Sequence, residues 1–205
     1  MGFKIKDYLY FALPAILWPL TFIVFRAEFV YAMTVSTAIL ATFTLWKYRK
    51  YVSWLKTRTA TGALAAGAAI SVLLYLIFFA GYYFTAAIGL GGSVANVYTM
   101  LYSQHDGVAL VLLLAVIGIF EEIYWRGGVQ GIARKESKLF KKFPWLLSTA
   151  YYTLVHFATL NPVLVLAAFA VGLVTSLTAD RYGIVASTVT HILWIEAIVV
   201  FLPVL

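Results

Sequence analysis

The sequence has no cysteine and little charge, and each shortage closes off a class of protein. Without thiols there is no disulfide framework, no cysteine nucleophile and no thiolate-held metal. Charged residues make up 11% of the 205 positions and apolar residues 63%, against about 25% and 45–50% in ordinary globular domains. A water-soluble fold of this length has no way to hide that much apolar surface. Disorder is excluded for the opposite reason, since it requires few apolar residues. The short alternating segments of a membrane β-barrel are missing as well, because the apolar stretches run unbroken. What is present is the composition of a polytopic helical membrane protein, whose helices satisfy their own backbone groups in lipid. The expected fold is an all-α transmembrane bundle forming a single domain over 1–205, in contact with the lipid bilayer.

At about 20 apolar residues per crossing, seven spans are predicted: 8–25, 29–46, 61–90, 107–133, 144–160, 162–179 and 183–203. The third and fourth are long enough to tilt or to include a non-spanning stretch. Between them Gly89-Leu90-Gly91-Gly92-Ser93 reads as a break and 93–106 as a loop. The first span follows Lys4 and Lys6 as a signal peptide would. It lacks a small-residue cleavage site before Arg26, so it is expected to stay as an anchor.

Basic residues set the orientation. With a cytoplasmic N-terminus, thirteen of the fifteen Lys and Arg residues fall on the inner side. They are Lys4 and Lys6, then Lys47, Arg49, Lys50, Lys56 and Arg58, then Arg134, Lys135, Lys138, Lys141 and Lys142, and finally Arg181. That is the positive-inside bias, and it puts the C-terminus outside. The net charge of +7 is therefore a topology signal with attraction for anionic lipid, and no nucleic-acid partner is expected. The short, cysteine-free chain without long cytosolic extensions points to a prokaryotic plasma membrane.

A charge at bilayer depth costs at least about 2.5–3.5 kcal/mol, so each one marks a candidate site. The fourth span ends Glu121-Glu122-Ile123-Tyr124-Trp125-Arg126-Gly127-Gly128. Glu122 and Arg126 are four residues apart and can pair. Glu121 points about 100° away from them and is left to face a cavity. His156 and His191 lie in two further spans. Counting about 1.5 Å per residue from the inner boundary, Glu121 lies about 19 Å deep, His156 about 20 Å and His191 about 15 Å, provided the fourth helix continues through its glycines. Three residues from three helices thus reach a similar depth. A buried carboxylate can act as a general base for water. One histidine can hold that water and the other can stabilise an oxyanion. The same set could instead hold a divalent metal with water in an open position.

On these residues the sequence resembles the CPBP family, the CAAX prenyl proteases and the bacteriocin-processing or self-immunity proteins related to them. A Glu-Glu-x-x-x-Arg motif corresponds to Glu121, Glu122 and Arg126, followed by Gly127. A Phe-x-x-x-His motif corresponds to Tyr152 through His156, with Tyr in place of Phe. A Phe-x-x-Gly stretch matches Phe169-Ala170-Val171-Gly172, and Asp180 through Ser187 leads into His191. The family usually has Asn or Asp four residues after that last His. Here the position is Ile195, with Glu196 next along, so His191 acts alone, Glu196 does related work from a shifted face, or catalysis is reduced.

The resemblance covers roughly 115–196, within the region 107–203 that carries the motifs. It implies an intramembrane glutamate-dependent endopeptidase that cuts near the end of a membrane-associated peptide or protein, such as a CAAX-like tail, a sorting tail or a bacteriocin or pheromone precursor. Glu121 would activate water with His156, and His191 would stabilise the oxyanion. Glu122 and Arg126 would be supporting, and Tyr152 and Glu196 further candidates. No cofactor is expected, with zinc the alternative.

Each feature also has a plainer reading. Singly, the histidines and Glu121 suit interhelical hydrogen bonding, and Glu122 with Arg126 suits a self-neutralising pair. Glu196 suits a hydrated helix end, and His105 and Asp106 a solvated loop. Trp18, Trp46, Trp54, Trp145 and Trp194 suit interfacial belts and core packing. Gly62 and Gly67 suit close helix approach, and 132–143 a cytoplasmic helix lying on the surface. At the level of the whole protein, the rivals are a non-catalytic immunity or interaction protein on the same scaffold and a proton-coupled transporter.

Overall fold

The computed structural model describes residues 5–57, 59–102 and 107–204. Lys4, Arg58, His105 and Asp106, and the side chain of Lys6, lie outside the described residues. The helices are α1 Ile5–Pro19, α2 Phe29–Phe43, α3 Ala60–Ala87, α4 Gly91–Tyr102, α5 Gly107–Glu122, α6 Gln130–Glu136, α7 Pro144–Val155, α8 Pro162–Tyr182 and α9 Ile184–Glu196. Among the described residues there is no strand. Short π-helical turns at Leu20–Val24, Thr44–Tyr48, Ile123–Val129 and Ala197–Phe201 extend or join these helices.

Five continuous helices are long and apolar enough to cross a bilayer: Arg26–Tyr51, Ala60–Ala87, Gly107–Glu136, Pro162–Tyr182 and Ile184–Phe201. They correspond to five of the seven predicted spans. The first prediction appears as the shorter apolar helix Tyr8–Val24. The fifth appears as α7 and a 3-10 turn, His156–Thr159, ended by Leu160 at φ 53°. Asn161 then caps α8, its side chain accepting from the backbone N–H of Val163 and Leu164.

Two expectations are corrected. The predicted loop at 93–106 contains α4, because Val94, Tyr98 and Leu101 form a buried stripe at helical spacing. The Tyr98 hydroxyl anchors that stripe by donating to Ile198 O at 2.8 Å. The expected surface helix at 132–143 is not separate either. Ile132 and Ala133 are buried in α6, which ends at Glu136 and gives way to turns.

The helix of the acidic motif runs unbroken through its glycines, from Gly107 to Glu136. They serve close packing there: a Cβ on Gly128 would sit 1.7 Å from the Tyr10 hydroxyl. Tyr10 and Tyr124 are fully buried alongside, and the Tyr124 hydroxyl donates to Tyr10 O at 2.9 Å. On the other side of the bundle α9 packs against α3, α5 and α8.

The segments predicted to share the inner side meet at one end of the bundle. Lys56 Nζ donates to Asp180 O at 2.6 Å, and Arg134 pairs with the Asp180 carboxylate. Lys135 Nζ reaches Lys50 O at 2.8 Å. The turn between α8 and α9 is tied to the same place, Ile184 N donating to Ser53 O and Val185 N to Trp54 O.

Candidate active site

The last turn of α5 puts two adjacent carboxylates in the interior, with Glu121 at 3% and Glu122 at 0% exposure. Neighbouring helical residues diverge by about 100°, so the two meet different partners. Glu122 Oε1 lies 3.3 Å from Arg126 Nη1 and accepts from His191 Nδ1–H at 2.9 Å. Arg126 stacks over the Tyr152 ring at 4.9 Å and directs Nη2 at Gly172 O, 3.4 Å away. Gly172 is the glycine of the Phe-x-x-Gly stretch, and it brings α8 against this cluster. The seven residues Ile123–Val129 after the acidic pair form a buried π-helical turn, a distortion often found at functional sites.

On its own face Glu121 Oε2 accepts from the Tyr152 hydroxyl at 2.9 Å and lies 3.7 Å from His191 Nε2. The latter distance is too long for a direct hydrogen bond. Oε1 of the same carboxylate makes no hydrogen bond with the protein. His156, at the end of α7, is bonded through both ring nitrogens. Nδ1 donates to Tyr152 O at 2.6 Å, since a carbonyl only accepts. Nε2 accepts from the Trp18 indole N–H at 3.3 Å. These partners fix the neutral Nδ1–H tautomer.

Glu121, Tyr152, His156 and His191 line one cavity of about 410 Å³, whose walls are otherwise almost wholly apolar and include Ile195. The structure thus brings Glu121, Glu122, Arg126, Tyr152 and His191 into one contact network, with His156 beside Tyr152 at 4.4 Å between ring centroids. Glu196 is not part of it. It is absent from the cavity wall, being one residue and about 100° past Ile195. At 7% exposure it is also buried, which corrects the expectation of a hydrated helix end.

Sequence reasoning missed Trp18 as a site residue. It is fully buried and lies 138 positions from the histidine it contacts. A tryptophan in an apolar run carries no signal that separates this role from packing. Zinc does not fit the donor set. Among the described residues no three His, Cys, Asp or Glu side chains gather as a metal site. Both His156 nitrogens and His191 Nδ1 are committed to hydrogen bonds, whereas a catalytic zinc takes three protein ligands.

Comparison with known families bears on the same stretch. Residues 103–195 match the family model of Rce1-like, type II CAAX prenyl endopeptidases. The matched region holds both acids, Arg126, Tyr152, both site histidines and Ile195, and it bears out the resemblance read from the motifs. It suggests an intramembrane CAAX-type protease. Neither a curated protein nor a solved structure matches the chain.

Proposed function

We propose that the protein is a metal-free intramembrane endopeptidase that hydrolyses a peptide bond near the end of a membrane-associated peptide or protein. The observation that carries this reading is a carboxylate, Glu121, at the wall of an apolar cavity with one oxygen unbonded and a histidine nitrogen 3.7 Å from the other. Glu122 accepts the His191 Nδ1–H, and in the neutral imidazole Nε2 then presents its lone pair toward Glu121. A water held between them donates one hydrogen to each and turns its own lone pair to the substrate carbonyl. Glu121 takes the water proton as the oxygen attacks the carbonyl carbon, and gives it to the amine as the C–N bond breaks.

This division of labour differs from the one the resemblance implied. His191, rather than His156, shares the water, because the Trp18 N–H occupies His156 Nε2. His156 then serves to hold the end of α7 beside Tyr152. The apolar walls suit a hydrophobic chain end, whether a CAAX-like tail, a sorting tail or a peptide precursor.

The test is cleavage of membrane-tail peptides by protein purified in detergent, with and without chelator. Wild type is expected to cleave equally in both conditions, and Glu121→Gln to lose at least about 10²-fold, the scale of a general base. Cleavage abolished by chelator would overturn the metal-free assignment. Turnover unchanged in Glu121→Gln would overturn the protease reading, leaving a binding scaffold.

A further inference from the structure

Hydrolysis of an amide needs more than a base, because negative charge builds on the carbonyl oxygen and must meet a donor already in place. The donors of the residues gathered at Glu121 can be followed one by one. The Nδ1–H of His191 is spent on Glu122. The Nδ1–H of His156 is spent on Tyr152 O, and the Trp18 N–H on His156. Arg126 sits behind the Tyr152 ring and directs Nη2 at Gly172 O. Ile195 faces the cavity and has nothing to donate. Beyond these, the Trp194 indole N–H lines the cavity with no protein acceptor, and the Tyr152 O–H donates to the base itself, Glu121 Oε2, at 2.9 Å.

From the contact of its hydroxyl with the base, and resting on the protease reading above, we propose that Tyr152 is a catalytic residue whose phenol hydrogen-bonds the oxyanion, taking the place that Ile195 leaves without a donor. The ring is held on several sides: Trp125 at 5.2 Å edge-on, His156 at 4.4 Å and Arg126 at 4.9 Å. The hydroxyl hydrogen alone is free to turn, about the C–O bond. Before attack the carboxylate carries the charge and holds that hydrogen. As Glu121 accepts the water proton it becomes neutral, and the charge moves to the carbonyl oxygen. The hydrogen bond follows the charge from one acceptor to the other with no movement of the ring. The proton stays on the phenol throughout, and no other reactant is required. The two departures from the motif pattern are thereby complementary. Tyr at 152 gains a donor on the same cavity where Ile at 195 lacks one.

The experiment compares wild type, Tyr152→Phe, Ile195→Asn, Tyr152→Phe/Ile195→Asn and Glu121→Gln on a fluorogenic membrane-tail peptide, with thermal unfolding of each. Tyr152→Phe is expected to lower kcat by about 10²–10³-fold, the cost of one oxyanion donor, with KM changed by no more than about threefold. Ile195→Asn in that background is expected to restore kcat by at least about tenfold, because the amide supplies the missing N–H.

A Tyr152 that merely positions Glu121 predicts a loss with no recovery in the double variant. That outcome, or wild-type kcat in Tyr152→Phe, overturns the proposal while an inactive Glu121→Gln leaves the protease reading standing. Equal rates in wild type and Glu121→Gln overturn both. Should Tyr152→Phe fail to fold, a fluorinated tyrosine at 152 decides the matter. It keeps the ring packing and sharpens the donor, so kcat that holds or rises is expected, and a fall of about tenfold or more counts against the role.

Discussion

Arg126 has no water to fall back on. Its side chain and that of Glu122 are both fully buried, and the carboxylate's second anchor is a histidine N–H rather than another cation. Removing one member of such a pair leaves an uncompensated charge in a low dielectric. Arg126→Ala is therefore expected to lower stability by about 3–5 kcal/mol, read as a loss of unfolding temperature in detergent. Adding Glu122→Gln to Arg126→Ala removes the orphaned charge and is expected to recover part of the loss. A double variant no more stable than Arg126→Ala would show that the arginine acts through its stacking on Tyr152 instead. At this scale the sequence was informative where lipid makes a residue anomalous. Glu121, Glu122, Arg126, His156 and His191 stand out because ionisable groups are costly at that depth. Trp18 does not, since an indole is at home among apolar side chains and shows its polar use only once a partner is in place.

Between elements, the position of His191 depends on how closely α9 can lie on α3. A Cβ on Gly67 would meet Ala186 O at 2.6 Å and Val189 Cβ at 2.8 Å, and Thr190 donates to Gly67 O at 3.1 Å across the same contact. The small-residue reading of α3 holds for Gly67. It does not hold for Gly62, which is exposed and sits in the first turn beside its cap, Thr59. Gly67→Leu is expected to cost about 1–3 kcal/mol through overpacking and to push α9, with His191, off Glu121. Unfolding temperature and kcat should fall together. A stable Gly67→Leu protein with full activity would mean that α9 tolerates displacement and that His191 need not be held so closely. Long helices were legible from apolar length alone, which is why Ala60–Ala87 and Pro162–Tyr182 fall near their predicted limits. Helix α4 was hidden because it is only 12 residues long and begins inside a glycine run that ordinarily marks a turn.

Across the molecule, Glu121 is the fifteenth residue of the thirty in Gly107–Glu136, about 22 Å along the helix from either end at 1.5 Å per residue. On the protease reading proposed above, a substrate bond is therefore drawn to about the middle of this helix, and the side from which the chain end arrives depends on which end of the bundle is cytoplasmic. We expect the end holding Lys50, Lys56, Arg134 and Lys135 to face the cytoplasm, since those cations and Asp180 gather there and positive loops are retained inside. The absence of native cysteine makes the test direct, because any introduced thiol is the single target for a membrane-impermeant maleimide. Leu139, 78% exposed in the turns after α6, reports on the basic end, and Leu202, 58% exposed after the last helix, reports on the other. In intact cells Leu202→Cys should label and Leu139→Cys should not, with labelling of the latter appearing on permeabilisation. The opposite pattern would invert the molecule and require a substrate tail that enters from the outer face to reach Glu121.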